Sequence, residues 1–410
     1  MKNILFVQNT ADLGGATVRL LQIIDGLDRA KYNPSVILLA DGLAVRLLRE
    51  RGINVSVHKN ISTYNFFEGA HYSFRTFRPW YPITKILQVV PSSIRFYKIL
   101  SNLDIDLIHI NTTTQIPSLI GSYFCSVKCV FHVREVLLKG NFGIRRKIIQ
   151  LIINKCADVV ICIASHNANQ LLNGEKYKTI YDSIDFKLFN TNVNKKRFRL
   201  KNSIKLDVPI IGFLGGIIPH KGLHILIKAS ETIKRKYPQI KFIVAGSKPK
   251  PQPNTFKRKI RHIIEQLFKI ENHDLYIEQL LKKYNANDNF IFTGGVIEVY
   301  ELIASLNVLV FPITESHFGG PIIEAMSMKI PVVASDFPSN REVIIDNETG
   351  LLADPSDHED LAMNIIRVLD NKIHTDYMVE NAYEYVRKDF DLCVNIKKIF
   401  NIYDDLLHEK

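Results

Sequence analysis

Short apolar runs, each leading into a loop and then a stretch of helical period, recur along this chain, and that alternation leaves few folds open to it. The runs "NILFV", "PSVILLA", "INVSVH", "DLIHIN", "KCVFHV" and "DVVICIA" occupy the first half. They have the length and β-branched content of buried strands. Helical patterns lie between several of them, as with Val18, Leu20, Leu21, Ile24 and Leu27 after the loop ending in Gly14-Gly15. Such alternation predicts a doubly wound parallel sheet. Near Asn190 the character changes, and "NTNVNKKRFRLKNSIKLD" reads as a polar, basic linker without apolar period. The alternation then restarts with "PIIGFLGG", a helix from Lys221, "IKFIVAGS", "NFIFTGG", "VLVFP" and "IPVVAS". A chain of 410 residues is too long for one ordinary core. The expected class is therefore α/β with two doubly wound domains.

Two segments exceed a minimal α/β plan. From Tyr64 to Leu100, aromatic and basic residues interleave around the only tryptophan, Trp80. The second is "KPKPQPNTFKRKIRHIIEQLFKIENHDLYIEQLLKKY", a proline-marked insertion leading into a basic helical pattern.

Composition narrows the class further. Hydrophobic content of 46% and charged content of 23% suit a soluble globular enzyme. The apolar run at the start is too short for a signal peptide and reads as a strand. The most apolar stretch, "KIIQLIINKCADVVICIA", is interrupted by Asn154, Lys155 and Asp158, so no transmembrane helix is expected. Five scattered cysteines without zinc-ligand spacing read as buried free thiols in a reducing cytoplasm. A net charge of +12 suits nucleic acid, an anionic membrane or phosphorylated substrates. No nucleic-acid-binding signature accompanies it, which favours the last two.

In open parallel sheets ligands bind at the carboxyl ends of the strands, so the residues just after each strand carry the chemistry. After "VLVFP" comes "ITESHFGGPIIEAM". Gly319 and Gly320 let a ligand approach the backbone, and Pro321 suits a first helical position. Unpaired amides at that helix start favour an anion such as a diphosphate, with Glu324 about one turn in to accept from sugar or ribose hydroxyls. After "PIIGF", the stretch "LGGIIPHKGL" places a glycine pair and Lys221 like a phosphate cradle with a cation, although the P-loop spacing is absent. Structural readings compete at both places: a glutamate complementing the helix dipole, and a solvated lysine. Gly14-Gly15 also precedes a helix, but the dinucleotide fingerprint is missing, which counts against a nicotinamide or flavin enzyme. His132, in "VFHVRE", is read at a strand end on the same rim. Asp104 and Asp106 form a D-x-D that precedes its strand, on the wrong rim for a ligand, and reads as a turn. No metal-ligand cluster appears, so no metal is expected.

In order and spacing these segments resemble the retaining glycosyltransferases of GT-B fold known as family four. The resemblance is strongest from "FLGGIIPHKGLHILIKA" through "FTGGV", "FGGPIIEAM", "IPVVASD" and "NETGLLAD". It is looser through Gly14-Gly15, "DIDLIHIN", "VFHVRE" and the hinge segment "YDSIDFKLF". It implies two Rossmann-like domains facing across a cleft: an acceptor-side domain over 1–190 and a donor-binding domain over 205–388. A C-terminal helix in 389–410 would cross back to the first. By position, Glu324 would hold the donor ribose and Lys221 would neutralise the diphosphate. Backbone at Phe318, Gly319 and Gly320 would approach the donor sugar and phosphates, and Thr293-Gly294 would pass the nucleobase. His132 would contact the transferred sugar, and the Gly14-Gly15 loop would lie over the diphosphate.

Three positions depart from the family. Its paired glutamates, separated by seven residues, place Ser316 at the first position, with Glu315 one residue out of register; Glu315, His317 or backbone would have to substitute. A common diphosphate-binding arginine is replaced by Gly216. The hinge Asn-Gly is Asp182-Ser183. The resemblance implies a metal-independent, cofactor-free transferase using a UDP- or GDP-sugar, with a saccharide acceptor. The aromatic-basic segment and Arg145-Arg146-Lys147 suggest that the acceptor is lipid-linked, with the protein cytoplasmic and peripheral on an anionic membrane. A non-catalytic sugar-nucleotide-binding partner protein and a sugar-nucleotide epimerase are the alternatives.

Overall fold

The structure, a computed structural model, describes residues 1–408 apart from 13, 65–84, 138–142, 247–272 and 297. Trp80, Arg75, Arg78 and most of the proline-marked insertion lie outside the described residues. Two compact units form, one from Met1–Ser183 with Leu392–Lys410 and one from Ile184–Asp391.

The first unit holds strands β1 (Lys2–Gln8), β2 (Tyr32–Leu38), β3 (Asn54–Val57), β4 (Leu107–Ile110), β5 (Lys128–Val133), β6 (Val159–Cys162) and β7 (Tyr177–Thr179). They form one sheet in the order β3-β2-β1-β4-β5-β6-β7, with every pairing parallel. The order reverses between β1 and β4, the switch point at which such sheets bind ligands. Alternate residues of β1 feed opposite faces: Ile4 and Phe6 join one buried cluster, Leu5 and Val7 the other. Helix Gly15–Gly26 covers the first face through Leu20, Leu21 and Ile24. The C-terminal helix Leu392–His408 adds Ile396, Ile399, Tyr403 and Leu406 to that face. Burial of each of these side chains contributes about 1.5–3 kcal/mol, so the C-terminal helix is an integral part of the first unit's core. The other face is covered by helices Val89–Leu100, Ile116–Tyr123 and Ile144–Cys156.

The second unit pairs β8 (Ile210–Leu214), β9 (Lys241–Ala245), β10 (Phe290–Gly294), β11 (Val308–Phe311), β12 (Val332–Ser335) and β13 (Leu351–Ala353). The order is β10-β9-β8-β11-β12-β13, again parallel, with its switch point between β8 and β11.

Several expectations change. The polar run after Asn190 is not a free linker, because a helix forms over Arg197–Lys201 and buries Phe198 and Arg199. The Arg199 guanidinium donates to the carbonyls of Val208 (2.7 Å) and Ser305 (2.9 Å) and to Asn307 Oδ1 (2.8 Å), anchoring the segment to the second unit. Lys221 does not open the following helix: it ends a one-turn 3-10 helix, Pro219–Lys221, and the α-helix runs Leu223–Lys236. His132 is not on an open rim, being 2% exposed within β5. The five cysteines are unbonded, but Cys393 is exposed. Asp106 accepts from the Asn3 amide (2.7 Å) and the Lys2 ammonium (3.1 Å), a structural tie at the start of β4.

Candidate functional site

In the second unit the loops after β8 and β11 are locked together at the switch point. Gly222 has φ +79°, and a Cβ there would lie 1.7 Å from the Pro312 carbonyl oxygen, so only glycine lets the two backbones meet. The Thr314 amide donates to the His220 carbonyl at 3.0 Å. These contacts present Lys221 to the loop after β11, where its Nζ lies 2.7 Å from His317 Nε2 and 5.7 Å from the Phe311 ring centroid. His317 Nδ1 is 2.9 Å from the Glu315 carbonyl and donates to it, which leaves Nε2 as the acceptor for the ammonium.

The electrostatics of this pair are unusual. Burial pushes the Lys221 pKa down to about 8, and no carboxylate among the described residues pairs with it. Burial, together with Lys221, holds His317 down to about 3, so the imidazole is neutral and its lone pair faces the cation. A half-buried ammonium whose partners among the described residues are a neutral ring and an aromatic face is set up to receive an anion. The same loop runs into helix Gly320–Ser327, whose N-terminus has no side-chain cap and whose first turn holds Pro321. A Cβ on Gly320 would touch nothing within 4 Å, so the approach to that helix start is open. Glu324, half-buried, begins its second turn.

Ser316 Oγ donates to Ser339 Oγ at 3.0 Å, so the serine at the departing position is held by a neighbouring hydroxyl. His317, the adjoining residue, is the one that meets Lys221. Gly216 is half-buried on the loop after β8. Thr293 and Gly294 end β10, the edge strand, with β9 between them and β8, and Gly294 has φ +73°.

Residues 194–385, almost all of this unit, match the family of glycosyl transferases group 1. The protein carries a glycosyl transferases group 1 domain. Relatives of this chain include the capsular polysaccharide biosynthesis glycosyltransferase CapM of Staphylococcus aureus, 24% identical over 55% of this chain; the match spans about half (52%) of CapM. The uncharacterized glycosyltransferase MJ1069 of Methanocaldococcus jannaschii is 26% identical, over 85% of this chain and 89% of its own. An Escherichia coli UDP-Gal:alpha-D-GlcNAc-diphosphoundecaprenol alpha-1,3-galactosyltransferase is 20% identical over 79% of this chain and 82% of its own. Among solved structures, Anabaena HepE in complex with UDP and glucose superposes with a TM-score of 0.76 at 22% identity, covering 98% of this chain and 100% of that one. The fold is thus GT-B, with two Rossmann-like units.

In the first unit, Gly14 caps helix Gly15–Gly26, and a Cβ on either Gly14 or Gly15 would meet nothing within 4 Å. His132 belongs to a buried polar network that spacing alone does not reveal. His132 Nδ1 lies 3.2 Å from His109 Nε2, and His109 Nδ1 meets the Tyr403 hydroxyl from the C-terminal helix. Nearby, Arg134 pairs with Asp182 at 2.6 Å and donates to the Asn111 carbonyl at 3.0 Å. Asp182 therefore has a definite partner, a nearly buried guanidinium. The signal for His109 was available in "DLIHIN", where one histidine interrupts an apolar strand.

Proposed function

We propose that the protein is a retaining glycosyltransferase that moves a sugar from a UDP- or GDP-sugar to a lipid-linked saccharide in cell-surface polysaccharide or lipopolysaccharide biosynthesis. The observation that carries this reading is Lys221, an ammonium with no carboxylate partner among the described residues, beside an uncapped, glycine-led helix at the switch point of a group 1 domain. A departing nucleoside diphosphate develops negative charge, and a preorganised cation with a helix N-terminus stabilises it without reorganisation. Glu324 accepts from the donor's ribose hydroxyls. A front-face reaction lets the leaving phosphate oxygen take the acceptor's proton, so retention needs no protein acid/base pair, and the electrostatic demand is met without a metal. His132 holds the transferred sugar. The names of the relatives, a capsular polysaccharide enzyme and a diphosphoundecaprenol-saccharide galactosyltransferase, support the substrate class.

With a matching nucleotide sugar and acceptor, Glu324→Ala is expected to lower kcat/KM about 100-fold, the effect of losing charged hydrogen bonds to substrate. Nucleotide binding without release of diphosphate to any acceptor would instead favour a non-catalytic partner protein, a reading motivated by Ser316 and Gly216. Interconversion of the sugar nucleotide itself would favour an epimerase.

The lipid-linked acceptor is supported by one face of the first unit. Helices Val89–Leu100, Ile116–Tyr123 and Ile144–Cys156 form a layer and contain no Asp or Glu. Helix Ile144–Cys156 has two apolar stripes: Ile149 and Ile153 enter the core, while Ile144, Ile148 and Leu151 are each more than half exposed. Ile86, Leu87, Val90, Ile94 and Phe124 are exposed to a similar degree. Exposed Arg95, Lys98, Lys147 and Lys155 accompany them, the composition of an interfacial helix on an anionic bilayer. Co-sedimentation with vesicles containing phosphatidylglycerol is expected to fall at least about tenfold in Ile148→Glu/Leu151→Glu. Unchanged sedimentation would remove the membrane from the proposal.

A further inference from the structure

The network behind His132 determines which of its nitrogens carries the hydrogen. Tyr403, His109 and His132 are all buried, and they meet through Tyr403 Oη, His109 Nδ1, His109 Nε2 and His132 Nδ1. The far nitrogen, His132 Nε2, has no hydrogen-bond partner. His132 is also one wall of a cavity of about 20 Å³, shared with Arg19, Arg134, Tyr181, Ile396 and Ile399. That space takes one hydroxyl oxygen or one water.

Two hydrogen arrangements satisfy the chain. In the first, Tyr403 donates to His109 Nδ1, His109 Nε2 donates to His132 Nδ1, and His132 Nε2–H is the one unpaired group. In the second, His132 Nδ1 donates to His109 Nε2 and His109 Nδ1 donates to Tyr403. The buried Tyr403 hydrogen and the His132 Nε2 lone pair are then both unpaired. One orphan against two favours the first arrangement by more than about tenfold. We propose that Tyr403 and His109 are positioning residues that fix His132 as a hydrogen-bond donor through Nε2, shaped to grip a lone pair of a saccharide oxygen and unable to serve as a general base.

The surroundings keep the pair neutral, as the scheme requires. Burial pushes His109 down to about 3 and His132 well below its ordinary value, and the neighbouring Arg134 guanidinium opposes protonation of both. Asp182 is occupied by that same arginine, and the Asp404 carboxylate by Lys31 and the Tyr32 hydroxyl, so neither is free to draw a proton onto the imidazoles. The helix that supplies Tyr403 thus reaches the chemistry through 294 residues of sequence separation. The saccharide identity of the oxygen rests on the proposed function; the tautomer is a property of the free protein.

The test is a long-range ¹H–¹⁵N correlation spectrum of ¹⁵N-histidine-labelled full-length protein, with His132→Gln used to assign the His132 signals. The wild type is expected to show His132 as the Nε2–H tautomer, unchanged between about pH 6 and 8. In Tyr403→Phe each arrangement leaves two orphans, so the preference is expected to vanish and both tautomers to appear in comparable amounts. Turnover per folded molecule would fall only about twofold, in proportion to the remaining donor tautomer. An Nδ1–H signal for His132 in the wild type would overturn the proposal without any variant, and a Tyr403→Phe spectrum still purely Nε2–H would overturn the role of Tyr403. Absence of glycosyl transfer would contradict the proposed function and leave the tautomer result standing.

Discussion

A Lys221→Met variant is expected to be more stable than the wild type and to bind a nucleoside diphosphate much more weakly. In the folded protein the Lys221 ammonium is pushed down to about 8 by burial, from an ordinary value of 10.5. The unfolded chain therefore binds more protons than the folded one between those values. The destabilisation is present in full below about pH 8 and disappears as the pH rises past 10.5. Methionine keeps the length and removes the charge, so the gain should be about 1–3 kcal/mol at neutral pH and shrink on the alkaline side. Thermal melts of both proteins across that range read it directly. Binding has the opposite sign. A diphosphate raises the lysine's affinity for its proton, so affinity for a nucleotide sugar should be highest below about pH 8 and fall up to tenfold per unit above it. In Lys221→Met the affinity should drop about 10- to 150-fold, the equivalent of one or two charge-assisted hydrogen bonds, and lose its pH dependence.

Gly222→Ala is expected to be the most damaging single methyl addition at the site. The residue holds φ +79°, where a Cβ is strained, and that Cβ would stand 1.7 Å from the Pro312 carbonyl oxygen, a backbone atom that cannot swing aside. The 3-10 turn carrying Lys221 must then separate from the loop after β11, breaking the His220–Thr314 bond and the contact with His317. A cost of about 3 kcal/mol or more follows, a fall in Tm of roughly 6–12 °C for a unit of this size, together with loss of diphosphate binding. Gly320→Ala is the internal comparison. A Cβ there meets nothing in the free protein. Its melting temperature should stay within about 2 °C of the wild type, while a ligand on the helix N-terminus would be obstructed. Equal losses of stability in the two variants would contradict the geometry.

The two sheets were legible because period and composition carry them: buried runs such as "VLVFP" and "PVVAS" need only local chemistry to be read as strands. β7 and β13, three residues each, were too short to stand out. The polar run holding Arg199 was misread because a guanidinium satisfied by backbone carbonyls leaves no local trace. The loops that flank the second switch point were legible from their glycines and from Lys221. That Lys221 would meet His317, across 96 residues, was not, because two loops brought together by a fold share no spacing. His132 was singled out, but its depth and its link to Tyr403 depend on the last helix packing against the first unit.

The most direct measurement is calorimetric titration of the purified protein with UDP, GDP, ADP and CMP, without added metal, at pH 7 and pH 9. One of UDP or GDP is expected to bind at a single site, more weakly at the higher pH, and to bind Lys221→Met about 10- to 150-fold more weakly than the wild type at pH 7. Binding that survives that substitution unchanged would place the nucleotide elsewhere, and failure of all four nucleotides to bind the wild type would contradict a donor site built on Lys221.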